Sequence, residues 1–428
     1  MSDDSLRPDS RQSKQLGPVA RHGRLKRSNA FANVAKVFAA ALAVVMVSSV
    51  SVAALAALNV ATSIKAPIHL DSETDGPMPT IGAIHGGVNL LLVGSDSRAG
   101  QGGGYGDPEV ETSVLNDVTM LLHIAEDHSS ATVVSFPRDT FVPIPSCTGP
   151  DGETYSSMRS QKINTTLSYG GLNCTVSTVE ELTGLPIQYA ALIQFNGVAA
   201  MSEAVGGVPV CIAEPIVDEK TDLNLSAGEH ELSGLEALQF LRTRYGVGDG
   251  SDLGRISNQQ VFLSSLVRTL KSSETLSDPL KLYSIAKAAV DNMELSTYLQ
   301  NVDTMVSIAM ALKDIPLDKV VFVQYPVYDV DGGLKPDESA ADDLIAAIKA
   351  DVSPKLAQGD ANFLSVRDPT PAATATAEPV DPATPDASAA PEDSAAPAEP
   401  TPTTLPSNVY GQDASELTCS AGRPVEDQ

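Results

Sequence analysis

From Val37 to Ile64 the chain reads VFAAALAVVMVSSVSVAALAALNVATSI, bounded by Lys36 and Lys65 and without a single charged side chain. No other feature restricts the fold as strongly. At ~1.5 Å rise per residue, about 20 residues of helix cross the ~30 Å hydrocarbon layer, so the segment is long enough to span a membrane. A cleaved secretory signal is the alternative, since small-residue ALA-type sites occur nearby. The length exceeds the roughly 7–15 residue apolar core of a signal peptide and favours a retained anchor. The basic flank RHGRLKR, residues 21–27, stays on the cytoplasmic side by the positive-inside rule, which places everything after Ile64 outside. On either alternative the bulk of the chain is exported.

Charge changes sign across this segment. Residues 1–36 carry eight Lys and Arg against three Asp, and the remainder carries 20 basic and 51 acidic residues, so the formal net charge of −26 divides into +5 and −31. So acidic an exported part excludes nucleic acid and a bare anionic surface as partners. Any phosphate it binds must be met at a local cationic pocket. With 42% hydrophobic and 19% charged residues, the chain has apolar material for one large or two ordinary domains. Cys147, Cys174, Cys211 and Cys419 all follow the apolar segment, where an oxidising compartment permits disulfides. No CxxC spacing or Cys/His cluster suggests zinc. Four cysteines allow three pairings, and the sequence alone does not choose among them. Cys147 with Cys174 is favoured because the two flank one short excursion, which leaves Cys211 with Cys419.

After a loop-like stretch, VNLLLVGSDSR, VTMLLHIA and ATVVSFPRDT read as buried strands, each a short apolar run ending in polar or charged residues. TVSTVEELTGL and NGVAAMSEAVGG have helical spacing, while QYAALIQF and VPVCI read as further strands. In LSGLEALQFLRTR, Ser233 and Glu236 have capping-box spacing and Leu235, Leu238 and Leu241 mark one apolar face; the helix should break at Gly246–Gly250. SDLGRISNQQVFLSSLVRTLKS predicts a second helix, with Ile256, Leu263, Leu266 and Val267 inward and Arg255 beside Gln259 on one face. Residues 279–350 add three helical segments and one strong strand, KVVFVQYPVYDV. Alternating strands and helices predict an α/β fold, a mixed central sheet flanked by helices in α-β-α layers. Residues 368–407 are dominated by Pro, Ala, Thr, Glu and Asp without a basic or aromatic side chain, the composition of a disordered linker.

The chemistry concentrates in a few guanidinium groups. Of nine Arg after residue 36, five are Arg98, Arg138, Arg242, Arg244 and Arg255, and the last three fall in FLRTRYGVGDGSDLGRISNQQ. Arg98, Arg138 and Arg255 each have an Asp within three positions, and the first two lie at expected strand C-termini, where open α/β sheets bind ligands. One Arg–Asp pair is ordinarily a surface salt bridge. Three at the ends of buried segments fit a phosphate or pyrophosphate clamp, in which guanidinium forks grip phosphoryl oxygens and carboxylates hold Mg²⁺. The glycines of AGQGGGYGDPE lack a following GK[ST], so a mobile loop is expected there rather than a P-loop; no HExxH or GxSxG occurs.

The ordered series NLLLVGSDSR, NDVTMLLHI, VVSFPRDT, QKINTTLSYGG, CTVSTVEELTGLPI, AVGGVPVCI, LSGLEALQFLRTR and GSDLGRISNQQVFL, from about Gly86 to Leu270, resembles the LytR-CpsA-Psr family of bacterial envelope proteins. The resemblance implies an Mg²⁺-dependent phosphotransferase that moves a glycopolymer from a polyprenyl-pyrophosphate carrier to peptidoglycan, with pyrophosphatase activity on the side. Some actinobacterial members use a surface protein as acceptor instead, and a non-catalytic polyprenyl-phosphate-binding sensor is a third reading. It implies Mg²⁺ ligands at Asp96 and Asp117 and pyrophosphate contacts from Arg98, Arg138, Lys162, Arg242, Arg244, Arg255 and Gln259. Arg138, Arg242 and Arg244 would act in catalysis with Asp139, which orients its neighbours or transfers a proton. Two departures stand out: Asn258 precedes Gln259 where the family often has Arg or Lys, and a Gly-rich loop widens the spacing from Asp96 to Asp117.

The expected organisation is a cytoplasmic tail at 1–36, a single-pass cell-membrane anchor at 37–64 and a connector at 65–85. An extracytoplasmic catalytic domain follows at 86–365, with its motif core at 86–270 and its completion at 271–365. The disordered linker takes 366–407, and a carboxy-terminal segment with Cys419 takes 408–428. The apolar helix faces near 174–205 and 256–270 either enclose an isoprenoid tail or simply pack in the core.

Overall fold

Short apolar runs rich in β-branched residues form the centre of the fold, and in the computed structural model each is covered on both faces. The structure describes residues 66–73, 87–101, 109–272, 278–357 and 404–428, with 35–36, 38–39, 365–367 and the single residues 105 and 275. The chain divides into two units, Met1–Leu58 and Asn59–Gln428; of the first, only Ala35, Lys36, Phe38 and Ala39 are described, all helical. No helix among the described residues is long and apolar enough to cross a membrane. The expected anchor at 37–64 lies almost wholly outside the described residues, as do residues 368–403 of the expected linker.

In the second unit, β1 (Val88–Ser95), β2 (Asn116–Ile124) and β3 (Ala131–Ser135) are followed by an excursion through β4 (Phe141–Ile144), β5 (Cys147–Thr148), β6 (Thr154–Tyr155) and β7 (Met158–Lys162). Then come α1 (Thr166–Thr183), β8 (Tyr189–Ile193), α2 (Phe195–Val205), β9 (Val208–Ile212), β10 (Ile216–Asp218), β11 (Leu223–Leu225) and β12 (Gly228–Leu232). Two helices that carry arginines, α3 (Gly234–Arg242) and α4 (Asp252–Lys271), lead to α5 (Pro279–Asn292), β13 (Met293–Leu295) and α6 (Val302–Asp314). The chain continues through β14 (Val320–Gln324), β15 (Val327–Val330), β16 (Gly333–Pro336) and α7 (Glu338–Lys349), then β17 (Ser365–Arg367), β18 (Gly411–Asp413) and β19 (Thr418–Ser420).

The central sheet is mixed, in the order β13-β8-β1-β2-β3-β14-β18. β1 pairs parallel with β8 and antiparallel with β2, and β14 pairs parallel with β3. Side chains alternate between two cores with the period of two that a strand imposes. Leu91, Val93, Val321 and Val323 join Val176 and Val179 of α1 and Leu344 and Ile348 of α7. Leu90, Leu92, Val320 and Phe322 face the other way, toward Ile308 of α6 and Leu263 of α4. Burial on both faces explains why these strands read as continuous apolar runs. A third core joins β9 and β12 to α3 and α4 through Val210, Leu232, Phe240 and Phe262.

Local details correct three expectations. Ser233 is the N-cap of α3 but its side chain caps nothing; the Gly234 amide donates instead to Ser202 Oγ at 2.8 Å. Leu235 is 52% exposed, and the buried side of α3 is Ala237, Leu238 and Phe240. KVVFVQYPVYDV is not one strand: β14 ends at Gln324, and the chain restarts after Pro326, which has no N–H to give a ladder, as the hairpin β15–β16. Disulfides join Cys147 to Cys174 and Cys211 to Cys419. The first is accommodated where Gly170 and Gly171 break the helical backbone of α1, Gly171 at φ +76°; a Cβ on Gly170 would collide with Cys174 Sγ.

Candidate active site

Antiparallel pairing of β1 with β2, and of β2 with β3, brings the end of β1, the start of β2 and the end of β3 to one edge of the sheet. A register shift between Gly94 and Ser95 sets Ser95 opposite Asn116. Asp96 and Arg98 therefore leave the sheet beside Asp117, and Arg138 and Asp139 leave it one strand further on. The end of α3 supplies Arg242, the following loop Arg244, and the first turns of α4 Arg255 and Gln259.

Arg138 is the hub. Its Nη1 lies 2.5 Å from Asp117 Oδ1, its Nε lies 3.7 Å from Asp139 Oδ2, and its backbone N–H donates to Asp252 Oδ2 at 3.1 Å. Burial disfavours its charge, but Asp117, Asp252 and Asp139 outweigh burial and hold its pKa above the ordinary arginine value. Arg255, 5% exposed, reaches Asp252 Oδ1 at 2.6 Å and the Asp117 carbonyl at 2.8 Å through Nη2. The Nε groups of both arginines are buried without a hydrogen-bond partner, so each keeps a donor unspent.

Arg242 is differently placed. Its guanidinium stacks 4.3 Å over the Phe195 ring. Burial and the like charge of Arg98 lower its pKa, against the pull of Asp117, Glu111 and Asp96. It is a half-buried cation without a carboxylate ion-pair partner among the described residues, the kind of group an anion would satisfy. Arg244 donates from Nε to the Gly250 carbonyl at 3.0 Å, and Gln259 donates from Nε2 to the Leu241 carbonyl at 3.0 Å. Lys162 meets Asp139 Oδ1 at 2.9 Å. Burial raises the Asp139 pKa, but that hydrogen bond and the charges of Arg138, Lys162 and Arg244 carry it below the ordinary carboxylate value.

A cavity of about 420 Å³ opens among these groups. Asp117, Arg138, Arg242, Arg244, Arg255 and Gln259 line it. So do Leu92 and Met120 of the sheet, Val198 and Met201 of α2, and Leu263 and Leu266 of α4. The cavity therefore suits an amphiphile with an anionic head. Asp96, Arg98, Asp139 and Lys162 are not in its wall; they stand around it. Arg98 pairs with Glu111 rather than with the neighbouring Asp96.

Asp96 and Asp117 both lie near Arg242. Asp96 already accepts from the Leu115 amide at 2.6 Å and from Ser113 Oγ at 3.1 Å, and Asp117 is shared with Arg138. No group of three His, Cys, Asp or Glu side chains that could hold a metal occurs among the described residues. One or two carboxylates fit Mg²⁺ completed by phosphate oxygens and water, and do not fit an all-protein cage.

Two residues escaped the sequence as site residues. Asp252 ties Arg138 to Arg255; its signal was the i, i+3 spacing to Arg255 in the capped first turn of α4, where Ser251 Oγ accepts from the Gly254 amide. Asp218, 1% exposed, accepts from the Arg244 amide and gave no signal at all.

The sequence model of the LytR_cpsA_psr family matches residues 52–349. The chain is 32% identical over 272 residues to the probable cell wall biosynthesis protein LcpB of Corynebacterium glutamicum, 61% of each chain. It is 30% identical over 273 residues to LcpA of the same organism, 58% of this chain and 52% of that one. It is 28% identical over 233 residues to the polyisoprenyl-teichoic acid–peptidoglycan teichoic acid transferase TagT of Bacillus subtilis, 51% of this chain and 66% of that one. The chain thus spans between about half and two thirds of the length of these relatives. Among solved structures it is similar to the LytR-Csp2A-Psr enzyme from Actinomyces oris, at 21% identity and TM-score 0.47 over 66% of this chain and 97% of that one.

Proposed function

The chain belongs to the LytR-CpsA-Psr family, and from that premise we propose that it is an extracytoplasmic, membrane-anchored phosphotransferase that moves a glycopolymer from a polyprenyl-pyrophosphate carrier to peptidoglycan. The observation that carries this reading is the cavity, where four arginines and a set of apolar side chains line one space. Arg138, Arg242, Arg244 and Arg255 grip the pyrophosphate with Gln259 beside them, and the apolar side chains take the start of the isoprenoid tail. Arg98 and Lys162 support from outside the wall. The likeness to a probable cell wall biosynthesis protein of Corynebacterium and a teichoic acid transferase of Bacillus supports a role in wall assembly.

In this reaction an acceptor hydroxyl oxygen forms a bond to the glycan-side phosphorus as the bond from that phosphorus to the bridging oxygen breaks. The electron pair leaves on polyprenyl phosphate. The arginines stabilise charge that builds on the bridging and non-bridging oxygens. Asp139, ionised and tied to Lys162, receives the hydroxyl proton or orients Arg138. Asp96 and Asp117 would hold Mg²⁺, which would supply further charge neutralisation at the pyrophosphate. An exported domain has no ATP to draw on, and an activated lipid donor already holds the required energy. The apolar segment at 37–64 keeps the domain beside the membrane that holds the donor.

The test mixes the full chain with a polyprenyl-pyrophosphate-linked oligosaccharide and purified peptidoglycan, with Mg²⁺ or with EDTA, and follows products by mass spectrometry. Mg²⁺-dependent formation of both polyprenyl phosphate and a glycan–peptidoglycan adduct is expected. Polyprenyl phosphate without adduct would redirect the acceptor to a surface protein. Lipid binding with no product would make the chain a sensor and overturn the enzymatic reading.

A further inference from the structure

Arg244 sits on the loop between α3 and α4, and that loop is gripped from two sides by groups outside the catalytic set. From one side comes Asp218, at the end of β10. Its Oδ2 accepts from Thr243 Oγ1 at 2.6 Å, from the Arg244 amide at 3.1 Å and from the Gly246 amide at 3.4 Å, and its Oδ1 accepts from the Lys220 amide at 2.9 Å. A carboxylate 1% exposed with four donors is a fixed point in the fold.

From the other side comes the end of the chain. Val247 and Gly422 form an antiparallel bridge, the Gly248 amide donates to the Ala421 carbonyl at 3.1 Å, and the Arg423 amide donates to the Gly246 carbonyl at 2.9 Å. The Arg423 guanidinium lies against Gly250, whose φ of +79° and missing side chain admit it. Gly250 in turn offers the carbonyl that holds Arg244 Nε. Gln428 Nε2 reaches the Val217 carbonyl at 2.7 Å, beside Asp218, so both arms of the grip meet.

We propose that Asp218 and the carboxy-terminal residues 421–423 form a two-sided brace that positions Arg244 for the pyrophosphate. Asp218 is a positioning residue: it lines the cavity, but both its carboxylate oxygens are engaged by protein donors, so it acts on substrate through Arg244. The role rests on the reading of Arg244 as a pyrophosphate contact; the grip itself does not. A loop preset in its bound shape loses less freedom when the anion arrives, so the brace acts on affinity and on transition-state contacts together.

The test uses the purified full chain, Asp218→Asn and a chain ending at Ser420, which keeps β18, β19 and the Cys211–Cys419 disulfide. Hydrogen exchange reads the loop without any ligand. In either variant the amides of Arg244, Gly246 and Gly248 should exchange at least about tenfold faster while those of β1 and β2 stay unchanged. Unchanged exchange in both variants overturns the brace. Binding of geranylgeranyl pyrophosphate then reads its purpose. Asp218→Asn should weaken binding about tenfold when Arg244 is present and less than about twofold in an Arg244→Ala background, because the two act in one chain of contacts. An equal loss in both backgrounds overturns the positioning role. Loop amides that loosen in a chain unable to bind the lipid at all would support the grip and remove the pyrophosphate reading instead.

Discussion

Arg138 answers to three carboxylates, Asp117, Asp139 and Asp252, while its Nε makes no hydrogen bond. Removing it should abolish the lipid's grip and leave three acids to repel the pyrophosphate. Arg138→Ala is expected to lower kcat/KM at least about 100-fold, and Arg244→Ala similarly, with circular dichroism unchanged. Full activity in both folded variants would remove them from the site. Asp139 makes a second, pH-dependent prediction. Its folded pKa is depressed, so its contribution is present above the ordinary carboxylate pKa and is lost as pH falls through the folded value. Asp139→Asn should cost about 1 kcal/mol in urea unfolding at pH 7, and the gap should narrow steadily below a pH of about 4. A gap that is constant with pH contradicts the pairing with Lys162. The arginines were legible because guanidinium groups are few in so acidic a chain after residue 36 and three have a near Asp. Asp218 was not legible, because a carboxylate that accepts from a hydroxyl and two backbone amides 25 to 28 positions away is selected by the tertiary fold alone.

At the scale of elements, α3 and α4 bring the arginines to the sheet edge by burying their apolar sides, and the pattern on α3 is where sequence and structure part. Leu235, Leu238 and Leu241 have helical spacing, yet Leu235 points out and Phe240 packs against Phe262 with centroids 6.2 Å apart. Periodicity fixes which residues share a face, but where a short helix meets two partners the fold decides how wide the buried face is. Leu238→Ala should cost about 2–5 kcal/mol and Leu235→Ala less than about 0.5 kcal/mol, measured by urea unfolding. The reverse order would place the wrong side of α3 inward. Strands β1, β2, β3 and β14 were readable as apolar runs because both sheet faces are covered. The hairpin β15–β16 was not, since only Pro326 marks the break and the turn residues Asp331 and Gly332 follow after four strand residues.

Across the whole molecule the carboxy-terminal segment is the part least visible in sequence. β18 closes one edge of the central sheet, and β19 lies between β9 and β17, with Cys419 opposite its disulfide partner Cys211. Strands of three residues have no periodicity to read, and only the cysteine pointed back to the fold. The link spans 208 residues, so Cys419→Ser should cost about 2–5 kcal/mol and lower the melting temperature; a melting curve identical to wild type would make the disulfide dispensable. On the proposed function, one cavity receives both halves of an amphiphilic diphosphate. Calorimetric titration of the full chain with geranylgeranyl pyrophosphate, geranylgeraniol and inorganic pyrophosphate tests it most directly. The lipid pyrophosphate should bind at least about 100-fold more tightly than either half alone, with that advantage lost in Arg138→Ala. Inorganic pyrophosphate or the alcohol binding as tightly as the whole would contradict it.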